Sequence, residues 1–406
     1  QPMLLKIAWR NIWRNRTRSL VVIGAIIIGV WSVIFLISYS VGTIKSYVNN
    51  AIENEISHLQ IHHPDFPKDK EIKYYLPHAE AMEAELQATD HVQAATVRSL
   101  TNAMLSTAKG ARGIQIKGIQ PQTEAQVTHL DQKLVEGEYF GSSGRNPILI
   151  SRTLADKLGV KLRSKVVLTF QDLNGDITAA AFRIVGLFET NSNAVDEGTA
   201  FTLQSDLNQL LGAEQIAHEA AILLHDPDFL EQVDTTLRQR YPDLLVQTYK
   251  ELSPEIELFN SQIQLTATIF TVIVMLALIF GIINTMLMAV LERLKELGML
   301  MAIGMNKFRV FFMIVLETIL LGLLATPLGL LAGYLTVVRL SEIGIDLSAW
   351  SGGMREFGIS EIIYPSLESQ IYGQLALAVF ITAVVASLYP AYKAIRLKPV
   401  EALHKI

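Results

Sequence analysis

Four long apolar runs are the strongest pattern in this sequence of 406 residues. Hydrophobic side chains make up 50% of the chain, and they concentrate in residues 20–42, 265–291, 310–338 and 371–392. A helix rises about 1.5 Å per residue, so roughly 20 apolar residues cross the hydrocarbon core of a bilayer. We therefore predict four transmembrane helices. The first run is longer than the roughly 7–15 apolar residues of a signal peptide, which predicts a retained span.

Polar segments between these runs give the predicted domain order. We predict an α-helical membrane protein with four transmembrane helices and an α/β domain inserted between helices 1 and 2. Apart from the four spans, the predicted segments are an amphipathic elbow helix (1–19), the external α/β domain (43–264), a coupling segment (292–309), an external loop (339–370) and a tail (393–406).

The predicted external domain mixes helical periodicity with short strand-like runs of alternating apolar residues. Asn174-Gly175, between two such runs, is typical of a β-hairpin. A helical pattern followed by a strand-like one occurs near both ends of the domain, at 77–100 and 228–248. This weak repeat predicts two subdomains. One comprises residues 43–115 together with 216–264, and the other comprises residues 116–215.

The distribution of basic residues predicts the orientation of the chain. The elbow helix, coupling segment and tail together carry 13 basic and three acidic residues, whereas residues 43–264 carry 19 basic and 30 acidic residues. Lysine and arginine accumulate in cytoplasmic loops. We therefore predict that both termini and the coupling segment are cytoplasmic and that the large domain is external. The chain has no cysteine, so disulfides give no information about its compartment.

The elbow helix carries tryptophans and arginines at helical spacing. Trp9 and Trp13 are four residues apart, and so are Arg10 and Arg14, so each pair shares a helix face. Aromatic rings suit the membrane interface, and arginines suit anionic lipid headgroups. The segment is predicted to lie on membrane lipid, either as a simple topology anchor or as an elbow that moves with the first span.

Two polar residues lie within predicted spans. Glu317 follows Arg309 by eight residues, which places it roughly 12 Å into the third span, and Asn284 lies near the cytoplasmic end of the second. An ionisable residue inside a membrane is a functional candidate by default. For Glu317 we favour a helix-packing contact or a salt bridge to the cytoplasmic rim. Asn284 is predicted to be buried, as a cap or a bond between helices.

Motifs for catalysis and nucleotide binding are absent from the sequence. A phosphate-binding loop of the form G-x-x-x-x-G-K-[ST] does not occur, so any ATP must be hydrolysed by another chain. No spacing indicates a nucleophile elbow. His58, Gln60 and His62 alternate along a predicted strand, where an exposed polar face is favoured over a metal site. We predict no catalytic residue, no metal and no nucleic-acid partner.

Three motifs together resemble one family, the FtsX/MacB-type (type VII) permeases of ABC transporters. Residues 9–18, WRNIWRNRTR, resemble the basic elbow of these permeases. Residues 296–304, ELGMLMAIG, resemble their coupling segment, although Met301 stands where Arg or Lys is common. Residues 389–403, YPAYKAIRLKPVEAL, resemble their C-terminal motif, which is very specific. The order of one span, a large insertion and three spans also matches, so the resemblance covers the whole chain.

The inserted domain is similar to that of the lipoprotein-releasing (Lol-type) permeases. The similar stretches are IQIKGIQPQTE at residues 114–124 and ILISRTLADKLG at residues 148–159. In one Lol subunit a long loop after the strand equivalent to residues 166–170 recruits a periplasmic carrier. Here that loop comprises only residues 171–177. The resemblance therefore leaves recruitment of a carrier open.

The resemblance implies a bacterial inner-membrane subunit with a periplasmic domain, working by mechanotransmission. Its implied partners are an ABC ATPase subunit and a second permease, as a homodimer or a heterodimer. The chain itself would hold no cofactor, and ATP and Mg²⁺ would bind to the ATPase. The residues expected to contact the ATPase are Glu292, Arg293, Lys295, Glu296, Leu297, Gly298 and Met299.

Three functions are compatible with the resemblance. The first is ATP-driven extraction of lipoproteins from the inner membrane for transfer to the outer membrane. The others are MacB-like efflux of drugs or peptides and FtsX-like signalling to a cell-wall hydrolase. For the first function we expect an apolar cavity between the first and second spans of two protomers. Its candidate residues are Ile27, Trp31, Ile34, Phe35, Ile269, Val272, Ile273 and Leu276.

Overall fold

The computed structural model of the protein describes residues 2–141 and 145–396, with side chains from residue 5 onward. Residue 1 of the predicted elbow helix, and the part of the predicted tail 393–406 beyond residue 396, lie outside the described residues. The chain forms two compact units. The helical unit contains the residues up to Ile44, Asn260–Asp346 and the residues from Ile362 onward. The α/β unit contains Lys45–Phe259 and Leu347–Glu361.

Four long helices account for most of the helical unit. By length and composition alone, the helices within residues 16–56, 254–292, 307–343 and 369–395 are each able to cross a membrane. In chain order the α-helices are α1 (Pro2–Arg14), α2 (Arg16–Ala51), α3 (Phe66–Asp69), α4 (Ala79–Gln87), α5 (Pro121–Thr128), α6 (Arg152–Leu158), α7 (Asn193–Gly198), α8 (Gln204–Leu211), α9 (Leu230–Arg240), α10 (Tyr249–Leu252), α11 (Pro254–Glu292), α12 (Leu294–Ala302), α13 (Lys307–Ile343), α14 (Ser351–Glu356) and α15 (Ser369–Ile395).

The strands belong to two sheets. In chain order they are β1 (Leu59–His62), β2 (Val92–Thr107), β3 (Gly110–Ile119), β4 (Leu134–Gly137), β5 (Pro147–Ser151), β6 (Lys165–Gln171), β7 (Ile177–Phe188), β8 (Thr199–Leu203), β9 (Glu219–Leu224), β10 (Leu245–Thr248), β11 (Ile345–Asp346) and β12 (Ile362–Ile363). A ten-stranded sheet has the order β10-β1-β9-β2-β3-β8-β5-β7-β4, and β6 pairs with both β2 and β7. β11 and β12 form a separate two-stranded sheet.

The α/β unit contains the mixture of helices and strands that the sequence predicts. The hairpin at Asn174-Gly175 joins antiparallel β6 and β7, whose pairing ends at Gln171 and Ile177. Gly175 has φ +86°, a conformation that glycine adopts without strain. Asp172 Oδ1 accepts hydrogen bonds from the backbone N–H groups of Asn174 and Asp176, both at 2.9 Å. The loop is therefore five residues long and closed by an aspartate.

The predicted division into two subdomains has a counterpart in the hydrophobic clusters. One cluster lies at the β1, β9 and β10 end of the sheet with α4 and α9. Another lies at the β5 to β8 end with α6 and α8. Strand β2 contributes to both, because it is 16 residues long. Since one sheet runs through both halves, the boundaries near residues 115 and 216 stay predictions.

Segment 347–361 belongs to the α/β unit, although the sequence predicts an external loop over residues 339–370. The guanidinium group of Arg355 forms ion pairs with Glu189 and Glu361. Backbone N–H of Ser360 donates to Ser46 Oγ at 3.0 Å, and Asn50 Nδ2 donates to the carbonyl of Gly358 at 3.0 Å. These bonds join the segment to the residue that follows β7 and to the C-terminal part of α2.

Lysine 133 fixes the chain at the end of α2. A π-helical turn, Ile52–Ile56, follows α2, and the Lys133 ammonium donates to Asn54 Oδ1 at 2.7 Å and to the Glu53 carbonyl at 3.1 Å. It also donates to the Thr128 carbonyl at 2.7 Å. Burial lowers the pKa of Lys133 to about 8. All three donors of the charged ammonium are used, so the end of α2 is joined to the end of α5.

Small residues let the long helices pack closely within the helical unit. A Cβ atom added at Gly333 of α13 would lie 2.5 Å from Ile34 Cδ1, and one at Gly329 would lie 2.9 Å from Val30 Cβ. Such close approach through glycine is typical of membrane helices. Most side chains of α11 remain exposed, and only 11% of its most apolar stretch of 18 residues is buried.

The histidine-rich strand β1 differs from the prediction. His58, Gln60 and His62 are buried, whereas the sequence predicts an exposed polar face. The reason is that β1 is an inner strand, paired with β10 on one edge and β9 on the other, and all four of its residues are buried. The polar atoms are bonded internally: His62 Nε2 lies 3.0 Å from Gln60 Oε1.

Two buried histidines are held neutral by their hydrogen bonds. His218 Nδ1 accepts from the Leu100 N–H at 3.0 Å, and His58 Nδ1 accepts from the Leu224 N–H at 3.1 Å. A proton on either Nδ1 atom would point at the hydrogen of the backbone N–H group, so the hydrogen bond would be lost. Burial accordingly lowers the pKa of His58 and of His218 to about 4.

We expect the α/β unit to lose stability as the pH falls from about 6.5 to about 4. Over this range the unfolded chain binds a proton at each histidine and the folded chain does not, so each histidine contributes a loss of about 1.4 kcal/mol per pH unit. The replacement His218→Gln should make the pH dependence of the unfolding midpoint shallower. The matched control His225→Gln, at an exposed histidine, should leave it unchanged. If the unfolding midpoint depended on pH with the same slope in both variants, the low pKa of His218 would not be a source of the pH dependence.

Candidate functional site

The short helix α12 is set between two breaks in the helical path. Glu292 ends α11, and Arg293 has φ −98° and ψ 18°, outside helical geometry, before α12 begins at Leu294. At the other end Gly304 has φ +104°, which an L-residue with a side chain rarely adopts. Asn306 then caps α13 by accepting from the Phe308 N–H at 3.0 Å. The predicted coupling segment 292–309 therefore contains a nine-residue helix with defined ends.

Two ion pairs join the predicted elbow to the coupling segment. Arg14 Nη2 lies 2.7 Å from Glu296 Oε2, and both side chains are about half exposed. Arg18 pairs with Glu292. An exposed pair such as Arg14–Glu296 contributes little to stability, typically about 0–1 kcal/mol, whereas the side chain of Arg18 is largely buried. The first pair joins α1 to α12, and the second joins the first turn of α2 to the last residue of α11.

Arg293 joins three elements through one guanidinium group. Its Nη1 atom lies 3.2 and 3.3 Å from the two carboxylate oxygens of Glu317 on α13. Its Nη2 atom donates to the carbonyl of Asn11 on α1 at 3.0 Å. The side chains of Arg293 and Glu317 are only 11% and 8% exposed. The structure thus contains the salt bridge that the sequence favours for Glu317, and Arg293 is its partner.

A cavity of about 280 Å³ lies beside this ion pair. Side chains of α1, α11, α12 and α13 contribute its apolar surface, and its polar lining consists of Asn11, Arg14, Arg293, Glu296 and Glu317. The four elements around the predicted coupling segment therefore meet here without filling the space between them. An arrangement of this kind leaves room for α12 to shift relative to α13.

The two faces of α12 have opposite roles. Leu297 and Gly298 are buried in the helical unit, so they cannot contact another protein, and the prediction that they seat the helix on an ATPase needs correction. Met299 is 56% exposed and Ile303 is 79% exposed. These two residues are one turn apart on the outer face. Lys295 is also exposed.

The predicted interface residues of the elbow helix are exposed. Trp9 and Trp13 are 42% and 46% exposed, and their rings meet edge to face with centroids 6.0 Å apart. Arg10 is exposed as well. The opposite face of α1 packs against the helical unit, where Ala8 and Ile12 are fully buried.

The residues predicted to line a membrane cavity fall into two groups. On α11, Ile269, Val272, Ile273 and Leu276 are all exposed. On α2, Ile27 and Phe35 are half-buried, and Trp31 is partly exposed while its Nε1 donates to Thr336 Oγ1 at 3.0 Å. Ile34 is fully buried against Gly333. Its inclusion in the cavity set is therefore wrong, because α13 already covers that face of α2.

Asn284 is exposed, whereas the sequence predicts a buried position. The reason is helical geometry. Ile282 and Met286 of α11 are buried in the core, and Asn284 lies two residues from each, about 200° around the helix. Its amide therefore lies on the outer face of α11.

Sequence reasoning missed Asn11 and Ile303 as parts of the site. Asn11 acts through its backbone carbonyl, which no side-chain pattern indicates. Ile303 lies four residues after Met299, and this spacing was the available signal. Nothing in the sequence pattern distinguishes Arg18 from the other basic residues of the elbow, although the structure pairs it with Glu292.

Family models match almost the whole chain. The model described as the MacB-like periplasmic core domain matches residues 19–240. The model described as the FtsX-like permease C-terminal domain matches residues 268–399. The first covers the strands of the α/β unit up to β9, and the second covers α12 and the ion pair of Arg293 with Glu317.

Named relatives are similar over most of their length. The lipoprotein-releasing system transmembrane protein LolC of Neisseria meningitidis is 25% identical over 403 residues, covering 95% of this chain and 93% of that protein. The macrolide export ATP-binding/permease protein MacB of Hahella chejuensis is 21% identical over 432 residues, covering 98% of this chain and 59% of that protein. The solved periplasmic region of MacB from Actinobacillus actinomycetemcomitans covers 53% of this chain and 97% of that chain, with 12% identity and a TM-score of 0.37.

Proposed function

Because the chain belongs to the FtsX- and MacB-like family of ABC transporter permeases, we propose that it converts ATP hydrolysis on a partner chain into motion of its α/β unit, and that this motion extracts lipoproteins from the inner membrane. In this proposal four helices, α2, α11, α13 and α15, cross the membrane. Both termini and α12 are cytoplasmic, and the α/β unit is periplasmic. ATP and Mg²⁺ bind to the partner ATPase. The permease works as a dimer with a second copy or a related permease.

The observation that carries the proposal is the surface of α12. Met299 and Ile303 form an exposed apolar pair, and the charged side chains of Lys295 and Glu296 lie exposed beside them. An apolar anchor with a charged rim is the usual composition of a protein–protein contact. In a water-exposed loop between two spans, such a pair needs a soluble partner to cover it. An ATPase subunit, which the family employs, is that partner.

Force on α12 has two routes through the helical unit. Arg293 connects the start of α12 to α13 through Glu317 and to α1 through the Asn11 carbonyl. The ion pairs of Arg14 and Arg18 lead to α1 and to the first turn of α2. Helix α2 then continues without interruption to Ala51. Lys133 binds Asn54 in the π-helical turn that follows α2. We propose that α2 acts as the transmitting rod.

The proposed cargo follows from the exposed face of α11. Ile269, Val272, Ile273 and Leu276 present apolar surface that the rest of the chain leaves uncovered. Two protomers that face each other through α11 and the exposed ring of Trp31 would enclose an acyl-sized space. Removing an acyl chain from a bilayer costs about 0.8 kcal/mol per methylene, so ATP hydrolysis is required to offset that cost. The similarity to a lipoprotein-releasing protein supports this cargo.

Export of soluble compounds from the periplasm is the second candidate. The hairpin loop between β6 and β7 spans only five residues, so the chain lacks the long loop with which one Lol subunit recruits a carrier. The relative named as a macrolide exporter is compatible with this function. A carrier would not be needed for it.

The two functions are separated by one transport experiment. We expect proteoliposomes that contain the permease and its ATPase to release a fluorescent lipoprotein only when ATP is present. The variant Ile303→Glu should reduce release at least tenfold, because a charge replaces the apolar anchor. ATP-dependent movement of a soluble drug, with lipoprotein release unchanged upon removal of the permease, would favour export instead.

A matched control isolates the contact on α12. Ile343, at the far end of α13, is 56% exposed, and Ile343→Glu makes the same chemical change away from the proposed ATPase contact. Release should be normal in this variant. Co-purification of the ATPase should be lost with Ile303→Glu and retained with Ile343→Glu. Retention in both would place the contact elsewhere.

A further inference from the structure

A second cavity, of about 530 Å³, lies within the α/β unit. Helices α4 and α8 and the start of α5 form its walls, and strands β2, β3 and β8 contribute Val97, Ile119 and Leu203. This volume is in the range of ordinary small-ligand sites. The transport proposal makes no use of it.

The cavity is lined by acceptors and carries negative charge. Three carboxylates line it, those of Glu80, Glu83 and Glu214, and no basic side chain is among the described residues that line it. The N-termini of α5 and α8 also border it and contribute roughly half an elementary positive charge each. Three carboxylates exceed that contribution, so a cation is favoured over an anion.

Three amide side chains of the cavity already have hydrogen-bond partners within the protein. Gln120 Nε2 donates to Gln204 Oε1 at 3.2 Å. Asn208 Oδ1 accepts from Ser99 Oγ at 2.7 Å, and its Nδ2 donates to the Ile216 carbonyl at 3.0 Å. The side chains of Gln120 and Thr123 also hydrogen-bond to the Glu83 carboxylate, and the amides together form a fixed polar wall.

Glu83 is the one lining carboxylate that is buried. It is only 6% exposed, and its Oε1 atom has no hydrogen-bond partner within residues 2–141 and 145–396. A buried acceptor without a donor costs about 1–3 kcal/mol, more when it is charged. Burial also raises the pKa of the Glu83 carboxyl group. A cationic donor that enters the cavity would relieve both costs.

We propose that this cavity binds a guanidinium or primary ammonium group and that Glu83 is its principal acceptor. A guanidinium group suits the site best, because its planar fork can bond one carboxylate with two parallel N–H donors. Glu80 and Glu214, at the exposed edge, would complete the charge balance. The group can be carried by an arginine or lysine side chain of a polypeptide or by a free amine. The site does not depend on the ATPase or on the cargo of the transporter.

The proposal is tested by binding to the purified full chain in detergent. The probes are a capped tripeptide with a central arginine, the same peptide with citrulline, and agmatine as a free guanidinium compound. We expect calorimetry to show the arginine peptide binding at least tenfold more tightly than the citrulline peptide. Tighter binding of agmatine than of the peptide would assign the site to free amines, and the reverse would assign it to polypeptides.

Variants identify the acceptor. Glu83→Gln should weaken binding of the cationic probe at least tenfold, and Glu231→Gln, which removes an exposed carboxylate on α9, should not change it. If Glu83→Gln fails to fold, Glu214→Gln at the exposed edge must weaken binding several-fold. Equal binding of the arginine and citrulline peptides, or binding that survives Glu83→Gln unchanged in a folded protein, would overturn the proposal.

Discussion

Replacing Arg98 with leucine should lower the free energy of unfolding of the α/β unit by about 3–5 kcal/mol. Arg98 Nε and Nη2 bond the two oxygens of Glu124 at 2.8 and 2.9 Å, and Nη1 bonds Glu219 at 2.5 Å. All three residues are almost fully buried. Without the guanidinium group, both carboxylates would lose their ion pairs in the core, where Glu219 keeps the attraction of the buried Lys117 and Glu124 keeps the hydrogen bond from Thr128. A loss of this size would approach the total stability of a typical domain.

The same residue also joins two elements of the fold. Arg98 lies on β2 directly opposite Glu219 of β9, and Glu124 lies on α5. Its loss would therefore loosen α5 from the sheet as well as leave charges unpaired. Arg98→Lys keeps the charge but cannot form the bidentate contact with Glu124, so we expect a smaller loss.

The measurement is urea unfolding of the full chain in detergent, followed by pulse proteolysis of the α/β unit. Arg238→Leu is the matched control, because Arg238 pairs with Asp234 and Glu251 at the surface. Exposed pairs contribute about 0–1 kcal/mol. If Arg98→Leu and Arg238→Leu lower the free energy of unfolding equally, the buried ion pairs of Arg98 do not stabilise the α/β unit more than a surface pair does.

The sequence predicts the positions of the helices and strands well. It predicts poorly which of their faces are buried. The apolar runs lie within α2, α11, α13 and α15 because long apolar segments have few structural alternatives. Alternation in β1 correctly indicates a strand. It cannot show that β1 is an inner strand of the sheet, because that depends on pairing with β9 and β10, which lie more than 150 residues away in the sequence. The sequence pattern therefore predicts an exposed face for His58 and His62, which the structure buries.

The candidate site shows the same limit at the level of one helix. Charge and family motif predict a coupling segment at residues 292–309, and for Glu317 the sequence favours a helix-packing contact or a salt bridge, of which the structure contains the salt bridge. The pattern of apolar residues in α12 does not distinguish the face that packs inward from the face that remains free, because Leu297 and Met299 have similar hydrophobicity. Only the packing of α1 and α13 decides that Leu297 is buried and Met299 is exposed.

Replacing Arg293 with methionine should uncouple ATP hydrolysis from transport. The variant leaves Glu317 buried without its partner and releases α12 from the Asn11 carbonyl. We expect a loss of about 3–5 kcal/mol in the stability of the helical unit. We also expect at least a tenfold loss of ATP-driven lipoprotein release in proteoliposomes that contain the ATPase. Arg14→Met, which breaks the half-exposed pair with Glu296, should change the stability by no more than about 1 kcal/mol.

A double variant separates stability from force transmission. Arg293→Met with Glu317→Met removes both charges, so the stability should return, since replacing a buried ion pair by apolar side chains is often neutral. The connection from α12 to the Asn11 carbonyl is still absent in this protein. We therefore expect a stable permease that binds the ATPase and permits ATP hydrolysis, while lipoprotein release stays low. Recovery of release together with stability would mean that the pair serves only the packing of α13, and that force passes from α12 to α2 through the ion pairs of Arg14 and Arg18 instead.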